Sequence, residues 1–215
     1  MADYFLVLDG DFWEGRARPA LAASWRQRSF GPCRSLCEGL LPAARAYAAR
    51  YHTGGEGPLL ARAGAGLPFE RTYWRALVGE VLLFAAVEIP EFQTCADTLC
   101  RLLAPAACDA AVPREQLPPV RQAHEGSRDL TFGAAVYRPE YAGYNNAADV
   151  ARLADYLAGI DPARWTLADL GPHEGEDADD LADELDFARE WFPVLAALYR
   201  RCRELGRVIV HESIY

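Results

Sequence analysis

Asp9-Gly10-Asp11 follows directly on the first apolar run of the chain, Tyr4 to Leu8. A run apolar on both faces predicts a central strand of a sheet. Carboxylates at the carboxyl end of such a strand occupy the place where open α/β sheets keep their sites, and a pair of them can hold a divalent cation or supply a nucleophile. Asp9 and Asp11 are therefore the metal candidates and, with His211, the catalytic candidates of a metal-assisted, phosphoester-type hydrolase. His173 is a second source of a ligand or base. The His211 version requires the C-terminal strand to lie beside the first in parallel. The plainer reading is a glycine-centred turn whose amides the two aspartates satisfy.

Other chemistries are narrowed by composition. All 22 basic residues are arginine, which removes Schiff-base and pyridoxal chemistry on lysine as well as the P-loop and kinase lysines. The haloacid-dehalogenase phosphatase motif is resembled only superficially: it needs a lysine too, and Phe12 stands where it has threonine or valine. Cys33 and Cys37, one helical turn apart around Arg34, suggest a thiol activated at a helix start. The six cysteines form no pair of zinc-type CxxC spacings, and without a secretory signal they read as buried thiols. His124-Glu125, His173-Glu174 and His211-Glu212 lack HExxH spacing. Gly54-Gly55-Glu56-Gly57 carries an acid in its middle and follows a helix, which argues against a phosphate cradle. Tyr137, Tyr141 and Tyr144 with Asn145 and Asn146 form a loop that could grip a ligand; the bland alternative makes Asn146 a helix cap and the tyrosines core.

Charge singles out another region. Of a net charge of −9, eight acids fall between Glu174 and Asp186. Asp177, Asp179, Asp180, Asp183 and Glu184 open the last long helix and are the candidate face for a basic protein partner; a solvated helix face is the bland reading. No basic footprint for nucleic acid is present, and no apolar run is long enough for a membrane span. The expected compartment is cytoplasmic. No cofactor is expected beyond a divalent metal at the aspartates.

The elements that must position these groups are legible in part. Length and apolar content suit one domain over residues 1–215, with a helical subdomain at 19–104 as an option. Helices are expected at Pro19–Arg28, Ser35–Tyr51, Glu91–Leu103, Ala147–Ala158 and Asp177–Leu205, and strands at Tyr4–Leu8, Leu130–Tyr137 and Arg207–His211. In 81–89 periodicity does not separate helix from strand; the helix reading is preferred for want of β-branched residues. Pro193 predicts a kink in the last helix, and Gly206 suits its left-handed stop. The fold class is mixed α+β: a central mixed sheet of few strands covered by several helices.

From Leu130 onward the segments LTFGAAVY, AADVARLADYLAGID and DELDFAREWFPVLAALYRRCRELGRVIVH resemble the YfbM-like family of uncharacterised bacterial proteins. The resemblance spans the last third of the chain and implies a compact mixed α/β fold, with no activity attached. The function expected from the residues is a non-enzymatic binding or interaction module with an acidic helix face; the alternative is the hydrolase built on Asp9 and Asp11.

Overall fold

The structure, a computed structural model, describes residues 2–38, 59–60, 67–70, 73–90, 95–108, 111–137, 141–171 and 178–214. Strand β1 (Ala2–Asp9) leads through a short helical turn, Gly10–Phe12, and a π-helical segment, Trp13–Ala17, into α1 (Arg18–Gln27). Next come α2 (Gly31–Cys37), α3 (Tyr73–Ala85), β2 (Ala86–Glu88), α4 (Ala96–Leu103) and α5 (Pro119–Glu125). The hairpin β3 (Arg128–Phe132) and β4 (Ala135–Tyr137) precedes β5 (Tyr141–Asn145), α6 (Ala147–Ala158) and α7 (Leu167–Leu170). The last pair is α8 (Ala178–Glu204) and β6 (Arg207–Ile214).

The six strands stand in the order β2-β1-β6-β5-β3-β4. The helix-rich α+β class is as expected, but every described pairing is antiparallel, where a mixed sheet was expected. The cause is visible at the end of α8. Gly206, at φ +61°, turns the chain straight back into β6, and the Gly206 carbonyl packs so close to Gly10 that a Cβ there would clash. With those two turns in contact, Arg207 stands opposite Asp9 and β6 retraces β1 in the opposite direction.

Alternation along the strands divides the core in two. Leu6, Leu8, Val208, Val210, Tyr144 and Phe132 point to a layer made of the π segment, α1, α2 and α3. Phe5, Val7 and Ile209 point to the layer of α4 to α8. Both faces of the sheet are thus covered, so β1 is apolar on both sides and interior, as its composition predicts.

Among the expected elements, α6 carries the capping box of Asn146 and Asp149, and α8 continues through Pro193. Gly79 does not stop α3, which runs to Ala85 and passes into a strand of only three residues. The 130–137 run folds as a hairpin around Gly133 at φ +65°. Tyr141–Asn145, read as loop, is a strand between β6 and β3. Of the helix expected at Ser35–Tyr51, the described part belongs to α2, and residues 39–58 lie outside the described set. Among the described residues no helix is long and apolar enough to cross a membrane.

Candidate functional site

Asp9 ends β1 as the cap of the turn that follows it. Its Oδ1 accepts the Phe12 amide at 3.0 Å, and its Oδ2 pairs with the Arg207 guanidinium. The Phe12 amide, and then the Arg207 charge, hold its carboxyl below the usual carboxylate range. Asp11 is exposed on the same turn. His211 does not join them. It stands opposite Phe5, four positions from Asp9 along β1, which is about 13 Å of strand. The parallel arrangement that would have brought its imidazole to the aspartates is replaced by the antiparallel one. His211 instead is buried, 6% exposed, edge-on to the Phe5 ring at 5.0 Å. Among the described residues no group of three or more His, Cys, Asp or Glu side chains could hold a metal ion. His173 and Asp177 lie outside the described residues.

The thiol reading is corrected at Cys33, while the Cys37 side chain lies outside the described residues. Cys33 is fully buried, accepts the Ser24 hydroxyl at 3.2 Å, and is pushed up by that burial to about 11. Burial pushes Cys95, Cys100 and Cys202 up to about 12. These thiols are protonated at neutral pH and poor nucleophiles. His124 is buried and shares a 2.9 Å hydrogen bond between its Nδ1 and the Val120 carbonyl.

The polar chemistry that the fold does gather lies on the α4 to α8 side, around Asn145. Its Oδ1 accepts the Ser127 amide at 2.8 Å and the Ser127 hydroxyl at 2.6 Å. Its Nδ2 donates to the Gln122 carbonyl and to the Tyr199 hydroxyl, both at 2.9 Å, and Tyr199 in turn donates to the Ala123 carbonyl at 2.7 Å. Every bond the Asn145 amide can make is made. At the surface the network continues through Arg152, which donates to Gln122 and Ser127, and through the Arg128–Asp149 pair. Burial and hydrogen bonding leave this cluster no open position for a reacting group; it ties β5, α5 and α8 together. The sequence offered a partial signal. Asn145 was conspicuous, but Gln122, Ser127 and Tyr199 sit inside ordinary amphipathic patterns, and only the fold makes them neighbours. Gly143 has a similar hidden role: a Cβ there would strike the Glu125 carbonyl, so the end of α5 lies directly on β5.

The acidic face is as exposed as the charge pattern suggests at Asp179, Asp180 and Asp183. Glu184 differs, because it pairs with Arg101 at 3.0 Å across to α4 and so holds the fold.

On the opposite layer, Arg28 ends α1 in the left-handed region at φ 51°, ψ 48°, and it is the one non-glycine residue with positive φ among those described. That conformation costs roughly 1–2 kcal/mol in a residue with a Cβ. Its guanidinium lies 4.0 Å over the Trp25 ring, beside an open depression of about 350 Å³ between α1 and the β3–β4 turn. Nothing in the spacing of residues 25–28 announces it. Set beside known proteins, the chain is matched by no family model, and no similar curated protein and no similar solved structure was found.

Proposed function

We propose that the chain is a cytoplasmic, non-enzymatic binding module that meets a basic protein partner through the first turns of α8. The observation that carries this reading is the concentration of negative charge at one helix start, where Asp179, Asp180 and Asp183 are all exposed within the first two turns of α8. One-signed charge in such a place steers an oppositely charged surface into contact. The described cysteines are free and mostly buried, which fits a reducing compartment.

The test is a charge reversal with a matched control. Asp179→Arg, Asp180→Arg and Asp183→Arg together should abolish co-purification of the basic partner while leaving the thermal midpoint within a few degrees. Reversing the exposed Asp97, Glu115 and Glu204 changes net charge equally and should leave the partner bound. Retention of the partner by the α8 variant would overturn the proposal.

A further inference from the structure

The geometry points to a second, oppositely charged site: the depression between α1 and the β3–β4 turn binds a small carboxylate carrying an apolar, ring-sized body. This goes beyond the partner-binding reading and uses none of its residues. The depression holds about 350 Å³, within the range of small-molecule pockets, and its wall is apolar, formed by Ala22, Trp25, Phe132 and the turn at Gly133. The wall is braced from behind. Trp25 packs on Trp74 at 5.0 Å between ring centres, and Trp74 packs on Phe132 at 5.6 Å, so the surface is formed before any ligand arrives.

Arg26 and Arg28 provide the charge. Both are exposed, and neither is ion-paired to a described carboxylate, in a chain whose net charge is −9. Arg28 also accepts a strained backbone to be there. Glycine is the residue that suits a left-handed helix end, and here an arginine takes that conformation with its guanidinium over the Trp25 ring. Its guanidinium carbon lies 4.0 Å from the centre of the Trp25 ring, and Arg28 and Trp25 both line the depression. A guanidinium fork binds the two oxygens of a carboxylate, and the apolar wall takes the remainder of the molecule. The preference for an anion over its neutral isostere follows from the two positive charges, and the preference for a compact apolar body follows from the volume.

The probe pair is 1-naphthoate and 1-naphthamide, which share a ring and differ in charge, titrated into the full chain and followed by the indole N–H and arginine Nε–H resonances. Saturable binding of the carboxylate, at least tenfold tighter than the amide, with the Trp25 and Arg28 signals moving together, is the expected result. Arg28→Gly should weaken it at least tenfold while the thermal midpoint stays equal or rises, because glycine suits φ 51°. Arg26→Gln should weaken it by a smaller factor, and Trp25→Leu should abolish the ring-dependent part. Equal binding of carboxylate and amide, no saturable binding, or undiminished binding in Arg28→Gly would each overturn the proposal. Failure here would leave the α8 proposal untouched, since its charge-reversal variant is read by a different partner.

Discussion

Trp13 and Asn145 lie on opposite sides of one sheet, 0% and 1% exposed, and they meet their polar obligations in opposite ways. The Trp13 indole N–H is buried with no acceptor among the described residues, as is that of Trp74 on the same side. Their rings contribute through edge contacts to Phe132 at 6.2 and 5.6 Å. Asn145 gives up every donor and acceptor to Ser127, Gln122 and Tyr199. Around Trp13 the packing is therefore by volume and ring contact, which tolerate substitution of like size. Around Asn145 the chain is held by directional bonds among three elements, and these admit one register only. The difference teaches that burial alone does not measure how strongly a residue specifies this fold.

The widest test of that contrast is Asn145→Ala. It strands the Ser127 amide, at about 1–3 kcal/mol, and takes one bond each from the Ser127 hydroxyl, the Gln122 carbonyl and the Tyr199 hydroxyl, at about 0.5–1.5 kcal/mol apiece. We expect a loss of about 3–4 kcal/mol, read as a shift of the urea midpoint at constant slope. A loss below about 1 kcal/mol would erase the distinction between the two sides.

Glu212 sharpens the comparison from within the apolar side. It is buried, its carboxylate accepts the Tyr137 hydroxyl, and burial raises its carboxyl above the ordinary value of 4.5, with the Tyr137 bond opposing. The folded state then holds the proton more tightly than the unfolded one, so its contribution to stability is full below about pH 4.5 and is lost as pH rises through the raised value. Glu212→Gln should flatten that part of the profile and raise stability on its alkaline side, measured as urea midpoints across pH. An unchanged slope would place the protonation equilibrium elsewhere.

Trp13→Phe should have the smallest effect. It removes an N–H that has no acceptor among the described residues while keeping an aromatic ring against Phe132, so lost volume and relieved desolvation oppose each other. We expect a change of about 1 kcal/mol or less in the same denaturation measurement. A loss equal to that of Asn145→Ala would show that ring packing specifies as strictly as the hydrogen bonds do.

Particular residues mark how far the sequence was legible. Asn146 with Asp149 announces the start of α6, and the acidic opening and Gly206 announce the two ends of α8, because caps and charge bias act within one turn of the helix. Tyr141–Asn145 gave no such signal. With a glycine at its centre and no β-branched residue, it is a strand because β6 pairs with it and because Gly143 admits the end of α5. Arg28 was equally silent, since a left-handed arginine follows from its surroundings and not from its type.

Local information, namely apolar period, caps, glycine stops and the absence of lysine, determined the main helices, the interior character of β1 and the chemistries that lysine would supply. Tertiary structure decided the direction of β6 against β1, and with it the fate of the candidate site: Asp9 faces Arg207 while His211 faces Phe5. It also decided that Gln122, Ser127, Asn145 and Tyr199 share one network. The physical reason is range. Periodicity and capping are properties of a few consecutive residues, whereas strand direction and buried hydrogen bonding depend on which distant segments arrive in register, and that is settled by the packing of the whole core.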